Sequence, residues 1–189
     1  SDKDACNLLG NIALAQGQLE QAKTYYNCAL DADPLFSETY NNLGVLALKQ
    51  GNLEEAMTNF HAAVKIDPSR ADAWYNMGQI LMAAGQTKLA EEYLRRAIKA
   101  DPTHAAATHR LAVLLISLRR GDEAEKLLEE AVKTVSDNPQ ILFLLATVLD
   151  DMGQIKEAGE RYLQAREAGD RTPELPLYLA EVQAKLGKG

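Results

Sequence analysis

The sequence predicts an all-α solenoid built from antiparallel helix pairs. Three observations carry that prediction: an internal period of 34 residues, apolar residues at helix-face spacing inside each period, and Gly and Pro recurring at the same points of it. The period runs without insertion along the chain of 189 residues. One column reads Leu9, Leu43, Met77, Leu111, Leu145, Leu179. The next is small throughout: Gly10, Gly44, Gly78, Ala112, Ala146, Ala180. Two alanine columns follow, Ala22, Ala56, Ala90, Ala124, Ala158 and Ala29, Ala63, Ala97, Ala131, Ala165. Between them lies a large column, Tyr26, Phe60, Leu94, Leu128, Tyr162.

The units take the bounds 3–36, 37–70, 71–104, 105–138 and 139–172, with a remainder at 173–189. In the first, "CNLLGNIALAQGQLEQA" carries the pattern, with Cys6 where later units place a large side chain. In the second, Tyr40, Leu43, Gly44 and Ala47 fall at i, i+3, i+4, i+7 on one helix face, and Ala56, Phe60, Ala63 and Val64 make a second face. Gly51 separates the two helices, at a C-cap that favours a residue able to take positive φ. Gly17, Gly85, Gly153 and Gly187 share its column, and Arg119 departs from it. Asp-Pro at 33–34, 67–68 and 101–102 closes the second helices, because Pro disfavours a helical residue before it. The later junctions carry Pro139 and Pro173 behind Asn138 and Thr172, both suited to N-capping. The remainder reads as a sixth first-helix from about 174 to 186. It is either a polar capping helix or the first half of a further repeat, since Pro176 stands in the place of the large aromatic and polar Gln183 where earlier units carry Ala47, Leu81 or Leu115.

A pair of short helices cannot bury its apolar face alone, so the pairs stack. The small columns mark a close crossing, with Gly10, Gly44 and Gly78 expected against Ala22, Ala56 and Ala90. Tyr40 and Trp74 are expected in the core.

Composition narrows the function. Apolar residues are 47%, charged residues 25% and net charge −7, which argues against nucleic-acid binding through phosphate attraction. No run reaches the roughly 20 apolar residues of a membrane span, and the first ten residues do not read as an intact signal peptide. Cys6 and Cys28 are read as free thiols in a reducing, cytoplasmic setting, with a Cys6–Cys28 bridge as the alternative.

The pattern Trp74-x-x-Met77-Gly78-x-x-Leu81, then Gly85, Ala90, Leu94, Ala97 and Pro102, resembles the tetratricopeptide repeat (TPR). The resemblance covers residues 3–172, with units two and three the nearest to it. It implies a right-handed superhelix whose first helices line a concave groove, and a scaffold that binds peptide segments or partner proteins.

First-helix residues off the packing face are the groove candidates: Asn41, Asn42, Tyr75, Asn76, Gln79, Met82, His109, Arg110, Val113, Ile116 and Phe143. Asn7, Asn11, Asp150, Asp151, Tyr178 and Glu181 lie on the same face of other units. Amides suit a peptide backbone and the apolar groups suit its side chains. Asn42, Asn76 and Arg110 share a column, which resembles the asparagine ladder of the O-GlcNAc transferase repeats, here with two Asn rungs. Asn42 has an alternative role as a hydrogen-bond partner of the neighbouring helix. The carboxylate clamp of chaperone-binding TPR proteins is not matched, because both of its lysines and one asparagine are missing.

Catalytic and metal chemistry have no support. His61, His104 and His109 lack ligand spacing, Asp150 and Asp151 point apart on a helix, and no nucleotide or nucleophile motif occurs. No cofactor is expected. The expected function is a protein-interaction scaffold that takes a peptide or partner protein in its groove. The alternatives are a scaffold that forms homo-oligomers and the regulatory repeats of a larger enzyme.

Overall fold

The computed structural model describes residues 2–187. Eleven helices and no strand occur among them: α1 (Asp2–Ala15), α2 (Leu19–Ala32), α3 (Ser37–Lys49), α4 (Leu53–Ile66), α5 (Ala71–Ala83), α6 (Thr87–Ala100), α7 (Ala105–Ser117), α8 (Gly121–Thr134), α9 (Pro139–Asp151), α10 (Ile155–Glu167) and α11 (Leu175–Leu186). The chain divides into two compact units, Ser1–Ala100 and Asp101–Gly189. In the first, α1·α2, α3·α4 and α5·α6 are hairpins, stacked through α2·α3, α4·α5 and α1·α3. In the second, α7·α8 and α9·α10 are hairpins, α8 and α7 pack on α9, and α11 packs on α10.

Each hairpin reverses through the same device. The Gly51 N–H donates to the Leu48 carbonyl at 3.0 Å and the Asn52 N–H to the Ala47 carbonyl at 2.9 Å, the paired closure that a left-handed C′ residue allows. Gly17, Gly51, Gly85 and Gly153 take φ of 75°, 77°, 70° and 81°. Arg119 takes 60° in the same place, so the geometry of the turn overrides the residue type there. Gly187 differs from its column and closes α11 at φ −78°. Asn52, His104 and Asn138 cap α4, α7 and α9 by accepting the N–H of Glu55, Ala107 and Ile141. Asp33, Asp67 and Asp101 each accept a backbone N–H two residues on, which fixes the Asp-Pro junctions as Asx turns. Thr172 does not cap α11. Its N–H is held by Asp170 Oδ1 at 2.7 Å in another such turn, and the helix starts later, behind Glu174.

The large column lies wholly inside: Tyr26, Phe60, Leu94, Leu128 and Tyr162 are fully buried, as are the alanine columns apart from a slight exposure of Ala131. The three glycines of the small column face this large column. A methyl on Gly44 would lie 2.5 Å from the Phe60 ring, one on Gly78 3.0 Å from Leu94, and one on Gly10 would clash with the Tyr26 ring. The glycine therefore clears space for the ring of its own hairpin, and Ala22, Ala56 and Ala90 are close-packed beside that contact.

Two expected core residues are only half-buried. Trp74 keeps its indole at the surface, where Nε1 donates to the Pro68 carbonyl at 2.9 Å, Tyr93 meets it edge-on at 5.4 Å, and the Arg96 guanidinium lies 4.9 Å above the ring. Tyr40 likewise turns its hydroxyl outward, to the Pro34 carbonyl at 3.3 Å. An indole N–H or phenol needs a partner, and in both cases that partner is a rim carbonyl. The cysteines are not free: Cys6 and Cys28 form a disulfide between α1 and α2, so the free-thiol expectation fails. The bridge joins the hairpin at the position where Cys6 replaces a large side chain. No described helix is long and apolar enough to cross a membrane.

Candidate functional site

In the first unit the shared face of the first helices carries a polar network. Asn7 on α1 is buried. Its Nδ2 donates to Glu38 Oε1 at 2.7 Å, and its Oδ1 accepts from Thr39 Oγ1 and from Asn42 Nδ2, each at 3.0 Å. Asn42 Nδ2 also donates to Asn11 Oδ1 at 2.9 Å, and Asn11 Oδ1 accepts from the Tyr26 hydroxyl at 2.9 Å. Both amide protons of Asn42 are thus directed to α1. The network ties α1 to α3 and to α2, and it follows from sequence position: Asn7, Asn11, Thr39 and Asn42 lie at the facing surfaces of successive first helices.

One repeat further on, the same arrangement is incomplete. Asn41 occupies the place of Asn7 and is buried at 8% exposure, yet its Oδ1 has no partner. Of the two donors that reach Asn7, Thr39 is replaced by Ala73 on the next helix, and Asn76, in the place of Asn42, does not donate to Asn41. Asn76 is half-buried, and its side chain has no hydrogen-bond partner among the described residues. Tyr75, Gln79 and Met82 are half-buried on the same helix. The first unit therefore presents one saturated rung, Asn42, and one open rung, Asn76 beside the unpaired Asn41 oxygen.

In the second unit, His109 and Ile116 are half-buried on α7, and Arg110 and Val113 are exposed there. Burial and, less strongly, the Arg110 charge lower the pKa of His109. At neutral pH its imidazole is uncharged, and Arg110 alone supplies positive charge on that face. Phe143 on α9 is half-buried and meets the Tyr162 ring at 5.6 Å and the Tyr178 ring at 5.7 Å, both edge-on. Tyr162 and Tyr178 stack at 5.4 Å.

Sequence reading placed Tyr162 among core residues and gave Lys185 no role. The structure leaves the buried Tyr162 hydroxyl without a partner, with its phenol pKa raised by burial and by the charges of Asp150, Asp151 and Glu181, and joins Lys185 to Asp150. The available signal was chemical. In the large column only Tyr26 and Tyr162 carry a hydroxyl, and a buried hydroxyl needs a partner.

Among curated proteins none is significantly similar in sequence. Solved structures are similar in fold. Pseudomonas aeruginosa PilF matches with TM-score 0.82 at 21% identity, over 99% of this chain and 85% of its own. PilW, a type IV pilus biogenesis factor, matches with TM-score 0.72 at 18% identity, over 98% and 86%. YrrB, a TPR protein with an unusual peptide-binding site, matches with TM-score 0.65 at 20% identity, over 93% and 90%. Together with the hairpin packing, these likenesses identify the fold as an all-α TPR-like solenoid. The family model of the C-terminal domain of cilia and flagella-associated protein 70, a TPR domain, matches residues 1–189, and the chain belongs to that family.

Proposed function

We propose that the chain is a protein-interaction scaffold that takes a peptide segment on the first-helix face, with Asn76 and Asn41 as the rung that holds the peptide backbone. The observation that carries this reading is the contrast between equivalent residues. Asn7 Oδ1 accepts two hydrogen bonds, whereas Asn41 Oδ1, equally buried, accepts none. A buried unpaired acceptor costs about 1–3 kcal/mol, and a peptide N–H delivered beside Asn76 removes that cost. Tyr75, Gln79 and Met82 flank the rung for peptide side chains. Arg110, His109, Val113, Ile116 and Phe143 supply a second, more apolar stretch in the other unit. YrrB is a structural neighbour described by its peptide-binding site, which supports the same class of ligand. The proposed organisation is five repeats, 3–36, 37–70, 71–104, 105–138 and 139–172, with 173–189 as a half repeat or cap.

The test is selection of a phage-displayed random peptide library on the whole chain, followed by calorimetry. Asn76→Ala is expected to weaken the selected peptides about tenfold, and Asn27→Ala, on the surface of α2, to leave them unchanged. Equal binding by the Asn76 variant contradicts the reading.

A second reading, self-association, is favoured by one feature. Leu9 and Ile12 on α1 are 43% and 46% exposed, whereas Leu43 and Leu46, their equivalents on α3, are 7% and 2% exposed; Leu8 beside them is 59% exposed. Light scattering at high concentration tests it: a dimer that Leu8→Glu dissociates supports self-association, and a monomer throughout excludes it.

A further inference from the structure

Tyr26 and Tyr162 hold the same place in units one and five, and their hydroxyls have different fates. Tyr26 donates to Asn11 Oδ1 at 2.9 Å, across to the first-helix face. In unit five the place of Asn11 belongs to Thr147, whose hydroxyl is turned to the Leu144 carbonyl of its own helix at 2.7 Å. The Tyr162 oxygen, fully buried, is left without a partner. Such an orphan calls for an explanation in a folded protein.

Its surroundings point to a ligand. The Tyr178 ring stacks on Tyr162, and Phe143 closes the side at 5.6–5.7 Å. Burial above all, and then the negative charges of Asp150, Asp151 and Glu181, hold the Tyr162 phenol well above the ordinary pKa. Asp150 is the innermost, with a side chain only 10% exposed. Its partner is Lys185, a flexible side chain 45% exposed in the last turn of α11, whose ammonium lies on Asp150 Oδ1. The chain thus sets one of its own cations on the α9 carboxylate, from the same helix, α11, that stacks Tyr178 on Tyr162.

We propose that the place Lys185 holds among α9, α10 and α11 takes one cationic side chain of a partner peptide, an ammonium or guanidinium that replaces Lys185 on Asp150, donates to the Tyr162 oxygen and covers the Tyr178 ring. Carboxylate and ring together suit a cation, since a charge-assisted hydrogen bond and a cation–π contact reinforce each other. Lys185, 45% exposed, can swing away into solvent and leave Asp150 to another cation. The inference deepens the peptide reading by naming the chemistry of one ligand side chain.

Fluorescein-labelled octalysine, octaarginine and octaglutamate are titrated against the whole chain by anisotropy. Both cationic peptides are expected to bind and octaglutamate not to; the tighter of the two identifies ammonium or guanidinium as the preferred group. Lys185→Ala is expected to tighten binding about fivefold, and Asp150→Asn and the isosteric Tyr162→Phe each to weaken it about fivefold. Asp137→Asn, on the surface with the same charge change, controls for the net charge of −7 and is expected to have no effect. Circular dichroism confirms the fold of each variant. Equal effects of the Asp150 and Asp137 variants, or no gain on removing Lys185, overturn the proposal. Failure of the peptide reading shows in the library-selected peptides and Asn76→Ala, and failure here in the cationic peptides and the Asp150, Tyr162 and Lys185 variants, so the two are told apart.

Discussion

Asn42 and Asn76 occupy the same column, and replacing each by alanine is expected to have opposite consequences. Asn42 donates one hydrogen bond to Asn7 at 3.0 Å and one to Asn11 at 2.9 Å. Neutral hydrogen bonds contribute about 0.5–1.5 kcal/mol each net, so their loss costs about 1–3 kcal/mol. Alanine returns about 0.5 kcal/mol through its higher helix propensity. Asn42→Ala should therefore destabilise by about 1–2 kcal/mol, a fall in melting temperature of about 2–8 °C for a chain of this size. Asn42→Asp should be worse, because its carboxylate faces two carbonyl oxygens where the amide donated. Asn76 has no partner to lose, so Asn76→Ala keeps only the propensity gain and should melt at or slightly above the parent. Thermal melts by circular dichroism read all three. Equal destabilisation at the two positions, or none at Asn42, refutes the division into a saturated and an open rung.

Four further outcomes follow from the packing and the site. Ala73→Thr supplies Asn41 Oδ1 with the hydroxyl that Thr39 supplies to Asn7; it should raise the melting temperature and weaken peptide binding in calorimetry. Reduction of the Cys6–Cys28 bridge, which spans a separation of 22 residues, should cost about 3 kcal/mol by loop-closure entropy, seen as a lower urea midpoint with dithiothreitol. Gly44→Ala places a methyl against the fully buried Phe60 ring and should destabilise by up to about 2 kcal/mol; Gly78→Ala meets Leu94 at 3.0–3.1 Å and should gain up to about 1 kcal/mol from helix propensity, so their melting temperatures should diverge. For His109 the folded pKa lies below the unfolded value of 6.5, so the unfolded chain binds a proton first as the pH falls. That stabilisation is complete above pH 6.5 and is lost as the pH drops through the lower folded value; His109→Gln should flatten this part of a stability–pH profile.

What the sequence made legible was periodic. A fixed repeat locates helix faces, hairpin turns and the buried large column, because each copy solves the same packing problem and the columns vote together. The Gly51-type turns and the Asn138 cap follow from backbone chemistry that Gly and Asn satisfy most readily, although Arg119 also takes the left-handed turn. Properties that depend on a second partner were harder to read. The small column was assigned to the alanines, yet the Tyr26, Phe60 and Leu94 side chains fill that space, since columns do not show which way a ring lies across a crossing. Trp74 and Tyr40 share an aromatic position that reads as core, but their polar atoms reach rim carbonyls and hold the rings at the surface. The thiol pair was undecided by spacing and became a bond because Cys6 and Cys28 face each other across one hairpin. The site was half visible: Asn42 and Asn76 were found as a column, but only the contrast of Thr39 with Ala73 on the neighbouring helices separates the rung that is satisfied from the one that is open.

The most direct test of the central claim is a side-chain amide NMR titration of the whole chain with a selected peptide. The account predicts that the Asn76 and Asn41 side-chain amide signals shift with saturation while those of Asn42 and Asn7 stay in place. Movement of Asn42 with Asn76 unmoved, or shifts confined to the second helices, contradicts it.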